Sequence, residues 1–329
     1  MIRSHFEISN LRSQILKLFL TQAIGIVESN METPGFDFVI ENYPLAPATY
    51  YRVGGPARLA LMPRNSGEAI AAYAWMLGQP GPRLILGAGS NVLIADEGFP
   101  GIVLFTTGLD QLEALGGDTY RAGAGVGLDR LVREVILPHN YEGAGALTGI
   151  PGSVGGAIFM NAGTVNGSTG QHLVSVGLTG AQGPFSITPD PARFGYRSQT
   201  FLPRHTLILD GVFRFHRSPD DQTAIYNHYL ERRREKQPQG YCCGSVFKNP
   251  GNDHAGRLIE ACGLKGTRHG GAVISPMHAN FIMNEDNATC DDILWLIDLC
   301  KRRVKEQFGI ELQEEVSIIG KNCGEDSGG

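Results

Sequence analysis

The 329-residue sequence has few charged side chains and no excess of positive charge. Lysine and arginine together number 28 and aspartate and glutamate 33, giving a formal net charge of −5. Because binding to nucleic-acid phosphates needs a clustered basic surface, this balance argues against a nucleic-acid partner. Only 19% of the residues are charged and 42% are hydrophobic, which is sufficient for the cores of two or three globular domains.

Cysteine is absent before position 242, and no two cysteines have CxxC spacing. The six cysteines are Cys242, Cys243, Cys262, Cys290, Cys300 and Cys323. Two adjacent and four scattered cysteines do not resemble a disulfide framework, so we expect a reducing compartment and a cytoplasmic protein. No Cys/His cluster has metal-ligand spacing, and we therefore expect no metal site.

Long apolar runs are also missing, so we expect no membrane-spanning segment. The most apolar N-terminal stretch, residues 16–27, is interrupted by Lys17 and Gln22, and no small-residue cleavage site follows it. We interpret it as a loosely attached amphipathic helix. Met31 offers a second possible start, so residues 1–35 are expected to be an N-terminal extension, and residues 1–30 dispensable.

From about residue 36 the pattern alternates between helices and strands. Residues 66–77 are predicted to form a helix that is capped by Ser66. Apolar residues at helical spacing predict a second helix over 128–137, stopped by Pro138. A third, over 289–308, begins with a capping box, and a strand over 315–319 follows it.

Glycine is abundant, with 44 residues and no collagen-like period, which favours tight turns and close approach of backbone to a ligand. Residues 86–91 (LGAGSN) follow a short strand and could turn backbone N–H groups towards a phosphate. They lack the third glycine of the dinucleotide fingerprint. Residues 149–163 predict a tight loop able to wrap a diphosphate or a flat ring. A plain strand–turn and a buried turn are the alternatives at these two places.

Two other segments and a pair of acids carry polar groups suited to chemistry. Arg197 stands among aromatic and small residues, a setting suited to holding a carboxylate. Residues 244–250 supply a hydroxyl, an ammonium and a carboxamide for proton donation and polar recognition. Glu314 and Glu315 lie at the start of the last strand, a place where paired acids are usually exposed to solvent.

In their order along the chain and in their residue sequences, these segments together resemble the UDP-N-acetylenolpyruvoylglucosamine reductases. The resemblance covers residues 36 to 321 and rests on the segments at 51–57, 86–91, 149–163, 194–198, 244–250, 255–260, 278–281 and 315–320. It implies an α+β fold, with a two-lobed FAD-binding module of the vanillyl-alcohol-oxidase-like type and a smaller α/β substrate-binding domain. The implied parts are residues 36–100 with the last strand at 314–321, residues 101–215, residues 216–313, and a flexible tail at 322–329.

The resemblance also implies an activity, namely reduction of UDP-N-acetylglucosamine enolpyruvate by NADPH through non-covalent FAD, in peptidoglycan precursor synthesis. Arg197 would hold the substrate carboxylate, Glu315 would orient the enol and Ser245 would deliver a proton. Lys248 and Asn249 would bind the diphosphate. The implied FAD contacts are Arg52, Gly54, Gly87, Gly89, Ser90, Asn91, Ile150, Gly152, Ser153, Gly155 and Gly156. Beyond the UDP-sugar and NADPH, no obligate protein partner is expected.

The short connection between Tyr196 and Leu207 indicates the shorter subtype of this family, which lacks a covering tyrosine loop. The sequence departs from the family at residues 241–243 (YCC), where small or apolar residues are common. This departure leaves the detailed shape beside Ser245 open.

Two other classes of protein are alternatives to this reductase. The first is an oxidase of the same fold with covalent flavin. No histidine lies between His5 and His139 and no cysteine precedes Cys242, which excludes covalent flavin in the first lobe. The second is a non-enzymatic nucleotide-binding paralogue, and the presence of Arg197, Ser245 and Glu315 weighs against it.

Overall fold

The structure, a computed structural model, describes residues 34–320. The C-terminal tail and nearly all of the N-terminal extension therefore lie outside the described residues. The described part begins with a four-stranded sheet in the order β1-β2-β5-β3, in which β5 runs parallel to β2 and β3. The elements of this part are β1 (Val39–Pro44), β2 (Pro56–Leu61), helix α1 (Ser66–Leu77), β3 (Arg83–Leu86), β4 (Val92–Ile94) and β5 (Phe99–Phe105).

Helix α1 has the predicted range but a different cap. The Asn65 side chain, not Ser66, accepts the Glu68 backbone N–H, at 3.0 Å. Asn65 is extended, with φ −157, whereas Ser66 already belongs to the helix. An N-cap residue needs extended backbone, so the prediction of Ser66 as the cap was wrong by one position.

A five-stranded antiparallel sheet follows, in the order β11-β10-β14-β7-β6. Its strands and their connecting hairpins are β6 (Leu112–Gly116), β7 (Thr119–Gly123), β8 (Gly163–Thr164), β9 (Gly167–Ser168), β10 (Leu173–Gly180), β11 (Gly183–Ile187), β12 (Phe194–Gly195), β13 (Ser198–Gln199) and β14 (Leu207–Arg214). The helices of this part are α2, made of the consecutive segments Leu128–Leu131, Val132–Ile136 and Leu137–His139, then α3 (Ala144–Leu147) and α4 (Val154–Met160).

Pro138 does not stop helix α2, contrary to prediction. The segment Val132–Ile136 is a wider π turn, and the helix continues through Pro138 to His139. The left-handed residue Asn140, with φ 52, ends it. A proline near a helix end removes a single donor, and the true stop is the left-handed residue that follows.

The predicted glycine-rich loop over 149–163 is partly helical, because α4 occupies its second half. The backbone N–H groups of Val154 and Gly155 donate to the carbonyls of Val126 and Ala124, each at 2.8 Å. A Cβ on Gly155 would lie 2.9 Å from the Ala124 Cβ. The absence of a side chain at Gly155 therefore serves close packing of α4.

The C-terminal region contains α5 (Gln222–Lys236), α6 (Ala255–Ala261), β15 (Arg268–His269), β16 (Ala272–Ile274), β17 (Ile282–Asn284), α7 (Cys290–Phe308) and β18 (Ser317–Ile319). Helix α7 has the predicted capping box of Thr289 and Asp292 and ends at Gly309. Strand β18 pairs in parallel with β4, so the chain returns to its first part. The strand begins at Ser317 rather than Glu315, since the Glu315 N–H donates to the Val246 carbonyl.

The hydrophobic clusters show which parts pack together. The cluster beneath α6 and α7 includes Tyr51, Val53 and Leu93 from the first part of the chain. Helix α5 instead packs Ile225 and Tyr226 against the cluster of the second sheet. Helix α1 packs between the two sheets.

Three features of residues 34–320 concern membranes, metals and thiols. None of the helices in this range combines the length and apolar character needed to cross a bilayer. The range also contains no group of three or more His, Cys, Asp or Glu side chains placed to hold a metal ion. The thiols of Cys242, Cys243, Cys262 and Cys300 form no disulfide bond within this range.

Candidate active site

A cavity of about 2550 Å³ is lined by residues of both sheets and of the C-terminal region. It exceeds the roughly 300–1,000 Å³ of a pocket for one drug-sized molecule, so it has room for a dinucleotide and a second ligand. Most of the predicted site residues line it, namely Gly87, Gly89, Ser90, Asn91, Ile150, Gly152, Ser153, Gly155, Gly156, Arg197, Ser245, Asn249 and Glu315. Three predicted residues, Arg52, Gly54 and Lys248, are not among its lining residues.

The loop after β3 presents unpaired backbone donors to the cavity. The N–H groups of residues 88–91 donate to no acceptor within the described part of the chain. Gly89 has φ +66, and a Cβ there would lie 2.1 Å from the Ala48 carbonyl oxygen. Only glycine fits this position, and the turn that it allows leaves donors suited to an anionic group.

The second glycine-rich segment faces this loop at close range. A Cβ on Gly87 would lie 2.6 Å from Ser153 Oγ, and a Cβ on Gly152 would lie 3.0 Å from Ser90 Oγ. The Ser153 hydroxyl is buried and has no hydrogen-bond partner among the described residues. Because a buried polar group normally finds a partner, this hydroxyl points to a ligand with a polar atom between the two segments.

Arg52 and Gly54 shape the preceding turn. Gly54 has φ +125, and a Cβ there would lie 2.7 Å from the Ile94 Cβ. The Arg52 backbone adopts the left-handed conformation, with φ 57, and the Arg52 Nη1 donates to the Pro47 carbonyl at 2.5 Å. Both residues support the wall of the cavity near Tyr50, which does line it.

Arg197 stands in the two-residue turn between β12 and β13, with φ 52. This left-handed conformation usually selects glycine or asparagine. The Arg197 Nε donates to Glu315 Oε1 at 2.7 Å, and its Nη1 donates to the Gly163 carbonyl at 2.7 Å. A guanidinium has five N–H donors, so three of them remain for a ligand.

Glu315 is held from two directions by its backbone. Its N–H donates to the Val246 carbonyl at 2.7 Å, and its carbonyl accepts from Asn91 Nδ2 at 2.9 Å. The first bond places Glu315 beside the segment that carries Ser245. The second places it beside the glycine-rich loop after β3, so the two contacts anchor the backbone of a residue that lines the cavity.

The segment 244–250 contributes Ser245 and Asn249 to the cavity lining. The Asn249 Oδ1 accepts the Ala255 N–H at 3.1 Å, which leaves its Nδ2 for a ligand. The backbone N–H of Lys248 donates to the Gln313 carbonyl at 2.9 Å. The neighbouring Phe247 points into the core and is 1% exposed.

The charged lining of the cavity is mainly cationic. Its lining includes two acids, Glu314 and Glu315, and six basic residues, namely Arg83, Arg197, Arg204, Arg232, Arg233 and Lys236. Both acids are already paired, with Lys301 and Arg197 respectively. An anionic ligand is therefore favoured, although the net charge of the chain is negative.

Arg233 lines the cavity although no sequence motif identified it as a site residue. Burial lowers the pKa of its guanidinium, and the nearby charge of Arg197 lowers it further. A Cβ on Gly149 would lie 2.4 Å from the Arg233 Cδ, so that glycine makes room for the arginine. Nothing in the basic run at the end of α5 singles out this position, because only the fold turns it inwards.

Cys242 and Cys243, the departure noted in the sequence, also line the cavity. The Cys243 Sγ donates to the Val92 carbonyl at 3.3 Å. Burial raises the pKa of both thiols. They are therefore uncharged at neutral pH, which makes them poor nucleophiles.

Comparison with known proteins gives two family matches. Residues 57–185 match the FAD binding domain family. Residues 236–319 match the family described as UDP-N-acetylenolpyruvoylglucosamine reductase, C-terminal domain. The first of these supports the predicted flavin-binding module.

The chain is also similar to whole proteins that bear this name. The UDP-N-acetylenolpyruvoylglucosamine reductase of Chloroflexus aurantiacus is 41% identical over 286 residues, covering 84% of this chain and 96% of that protein. The one from Acaryochloris marina is 40% identical over 283 residues, covering 84% and 91%. The crystal structure of the reductase from Thermus caldophilus superposes with a TM-score of 0.70 at 32% identity, covering 85% of this chain and 97% of that one. These matches confirm the predicted fold class.

Proposed function

Because the chain belongs to the UDP-N-acetylenolpyruvoylglucosamine reductase family, we propose that its cavity binds FAD beside the UDP-sugar and that Arg197, Ser245 and Glu315 act on the enolpyruvyl group. The chain is an FAD-dependent oxidoreductase that reduces UDP-N-acetylglucosamine enolpyruvate to UDP-N-acetylmuramate with NADPH, in peptidoglycan precursor synthesis. The observation that carries the residue assignment is the contact of Arg197 with Glu315 in the cavity that Ser245 also lines.

The residues of the two glycine-rich segments fit FAD. The unpaired N–H groups of residues 88–91 suit its diphosphate, and Gly87 and Gly152 let the two segments approach each other closely enough to form one wall for the cofactor. The orphan hydroxyl of Ser153 would gain a partner from the cofactor. Arg52 and Gly54 would contribute indirectly, by shaping the turn before the loop. When bound there, FAD would supply the hydride carrier between NADPH and the enolpyruvyl double bond.

Arg197 would bind the substrate carboxylate. Its three remaining N–H donors are enough to bind both oxygens of that carboxylate, while Glu315 and Gly163 hold the arginine in position. Hydride addition to the double bond leaves negative charge on the carbon next to the carboxylate. A guanidinium fixed before the reaction stabilises that charge without reorganising.

Ser245 would donate the proton that completes the reduction. Ser245 lines the same cavity as Arg197 and Glu315. The carbanion is a strong base, so a weakly acidic hydroxyl can serve as its proton donor. Glu315 would orient the enol between this hydroxyl and Arg197.

The diphosphate of the UDP-sugar would lie towards Asn249. That residue lines the cavity, and its Nδ2 is left for a ligand while its Oδ1 accepts the Ala255 N–H. Arg233 adds a cation whose Nη1 donates to the Gln237 side chain rather than to a carboxylate. Lys248 remains a predicted diphosphate ligand, although its side chain would have to turn towards the cavity to reach one.

The domain division expected from the sequence is also part of this proposal. The parallel pairing of β18 with β4 supports joining the last strand to the first FAD lobe. Helix α5 falls in the predicted substrate domain but packs on the second sheet, which supports a boundary after residue 236 instead. Cytoplasmic localisation and action without an obligate protein partner belong to the same proposal.

Anaerobic reduction of the purified holoenzyme tests the proposal. NADPH should bleach the flavin absorbance, and addition of the UDP-enolpyruvyl sugar should restore it with formation of a product two hydrogens heavier. UDP-N-acetylglucosamine, which lacks the enolpyruvyl group, serves as the control and should restore nothing. A flavin that stays bleached after addition of the enolpyruvyl sugar would refute the proposal.

A further inference from the structure

The side chain of Asn161 is buried beside the hairpin that carries Arg197, and it is only 7% exposed. Asn161 ends helix α4 in the left-handed conformation, with φ 44. Asparagine is among the few residues that tolerate this conformation, so the helix end alone explains the residue type. It does not explain where the carboxamide points.

Both ends of that carboxamide bind backbone groups of the surrounding segments. The Asn161 Nδ2 donates to the Gly195 carbonyl at 2.9 Å, and its Oδ1 accepts the Gly170 N–H at 3.1 Å. Gly195 is the last residue of β12 and stands two positions before Arg197. Asn161 therefore holds the hairpin at the base of its turn.

The same short segment also holds the tip of the arginine. Two positions after Asn161, the Gly163 carbonyl accepts the Arg197 Nη1 at 2.7 Å. One stretch of three residues thus fixes the backbone of the hairpin and the guanidinium at its end. No other segment among the described residues contacts both by hydrogen bonds.

The hairpin needs such support. Strands β12 and β13 contain two residues each, too few to hold a turn rigidly on their own. Arg197 has a positive φ of 52, and a non-glycine residue keeps that conformation only where its surroundings impose it.

We infer that Asn161 is a positioning residue, which fixes the hairpin so that the free N–H donors of Arg197 face the substrate carboxylate. The inference rests on the proposed function, since that proposal assigns the carboxylate to Arg197. Loss of the Asn161 amide donor should then affect only the half-reaction with the UDP-sugar. Reduction of the flavin by NADPH, which needs no substrate carboxylate, should be spared.

Two variants of Asn161 test this, with a matched pair of controls. Asn161→Asp keeps the acceptor and removes the donor, whereas Asn161→Gly keeps the left-handed backbone and removes both. The controls are Asn140→Asp and Asn140→Gly. Asn140 also ends a helix with φ 52, and its amide donates to the Ser218 carbonyl at 3.0 Å while its Oδ1 accepts the Gln222 N–H at 2.9 Å. It does not line the cavity.

The two half-reactions are measured separately by anaerobic stopped flow, together with FAD content and melting temperature. A misplacement of about 1 Å can cost about 10²-fold in rate. We therefore expect reoxidation by the UDP-enolpyruvyl sugar to slow by about 10- to 100-fold in both Asn161 variants, with a raised KM for that substrate. The NADPH step should stay near wild type, and the Asn140 variants should match wild type in both steps.

A double-variant comparison separates positioning from general damage. If Asn161 acts through Arg197, Asn161→Gly should add little to the defect of Arg197→Lys. The inference is wrong if the Asn161 variants reoxidise at the wild-type rate, if both half-reactions slow alike, or if the two substitutions are fully additive. If Asn161→Gly fails to fold, the same measurements on Asn161→Asp alone decide the inference. A wild-type enzyme that the UDP-sugar does not reoxidise would instead refute the proposed function.

Discussion

The guanidinium of Arg197 and the carboxylate of Glu315 meet at 2.7 Å, although 118 positions separate them in the chain. Their side chains are 25% and 14% exposed. The contact joins a hairpin beside the second sheet to the segment that leads into the last strand. It brings together two of the three residues to which the family resemblance assigns chemistry.

Removing the charge of Glu315 should impair substrate turnover more than folding. In Glu315→Gln the amide oxygen can still accept from Arg197 Nε, so the geometry survives while the electrostatic balance changes. Loss of one preorganised electrostatic group typically costs about 10²–10³ in kcat, and we expect a loss of that order. Steady-state kinetics with a melting curve provide the measurement.

The matched control for Glu315→Gln is Glu311→Gln. Glu311 is also paired with a cation, Lys305, but its side chain is 74% exposed. Exposed pairs contribute little to stability, so this variant should behave like the wild type in rate and in melting. Equal losses in the two variants would contradict an active-site role for Glu315.

The flavin should be held without a covalent bond. No cysteine or histidine lies among residues 34–138, which include the glycine-rich loop after β3. Acid precipitation of the holoenzyme should therefore release all yellow cofactor to the supernatant, as FAD by chromatography. Flavin retained in the washed pellet would contradict this prediction.

Gly87→Ala should weaken FAD binding. The added Cβ would lie 2.6 Å from Ser153 Oγ, so the Ser153 hydroxyl would have to rotate away from the position in which the cofactor is proposed to meet it. Gly251→Ala is the control, because a Cβ there has no neighbour within 4 Å. The bound flavin per chain after gel filtration should fall in the first variant and not in the second. Equal flavin content in the two variants would contradict the proposal that the two glycine-rich segments hold the cofactor.

The two cavity thiols should resist alkylation in the folded protein. Burial raises the pKa of Cys242 and Cys243 above the ordinary value of about 8.5, and the thiolate is the reactive form. At pH 8 iodoacetamide should modify them much more slowly in native than in unfolded protein, with the native rate rising as the pH increases. Mass spectrometry of the peptides measures both rates, and fast native labelling at Cys243 would contradict the prediction.

Sequence patterns predicted the regular elements better than the site. Helix α7 was predictable because its apolar face, capping box and terminal Gly309 all indicate the same element. The end of α2 was not, because a proline suggests a stop and only the structure shows the helix continuing past it. The cluster around Arg197 depends on contacts between distant segments, and the family resemblance predicted its members, not their contacts.

Residues with no chemical motif were missed for the same reason. Arg233 is one of three consecutive arginines, and periodicity within a basic run cannot tell which of them turns inwards. Asn161 was noted only as part of a glycine-rich segment, because its role depends on a hydrogen bond to Gly195, 34 positions away. Such residues become visible only when the fold supplies their partners.

The central claim is that Ser245 completes the reduction that Arg197 and Glu315 prepare, and separate measurement of the two half-reactions in Ser245→Ala tests it most directly. NADPH should reduce the flavin of this variant at nearly the wild-type rate. Reoxidation by the UDP-enolpyruvyl sugar should slow by at least the ~10²–10⁴ that one general acid contributes. Cys243→Ala, two positions away in the same cavity wall, should reoxidise normally. Wild-type reoxidation in Ser245→Ala together with slow reoxidation in Cys243→Ala would contradict the account and assign the proton to the thiol.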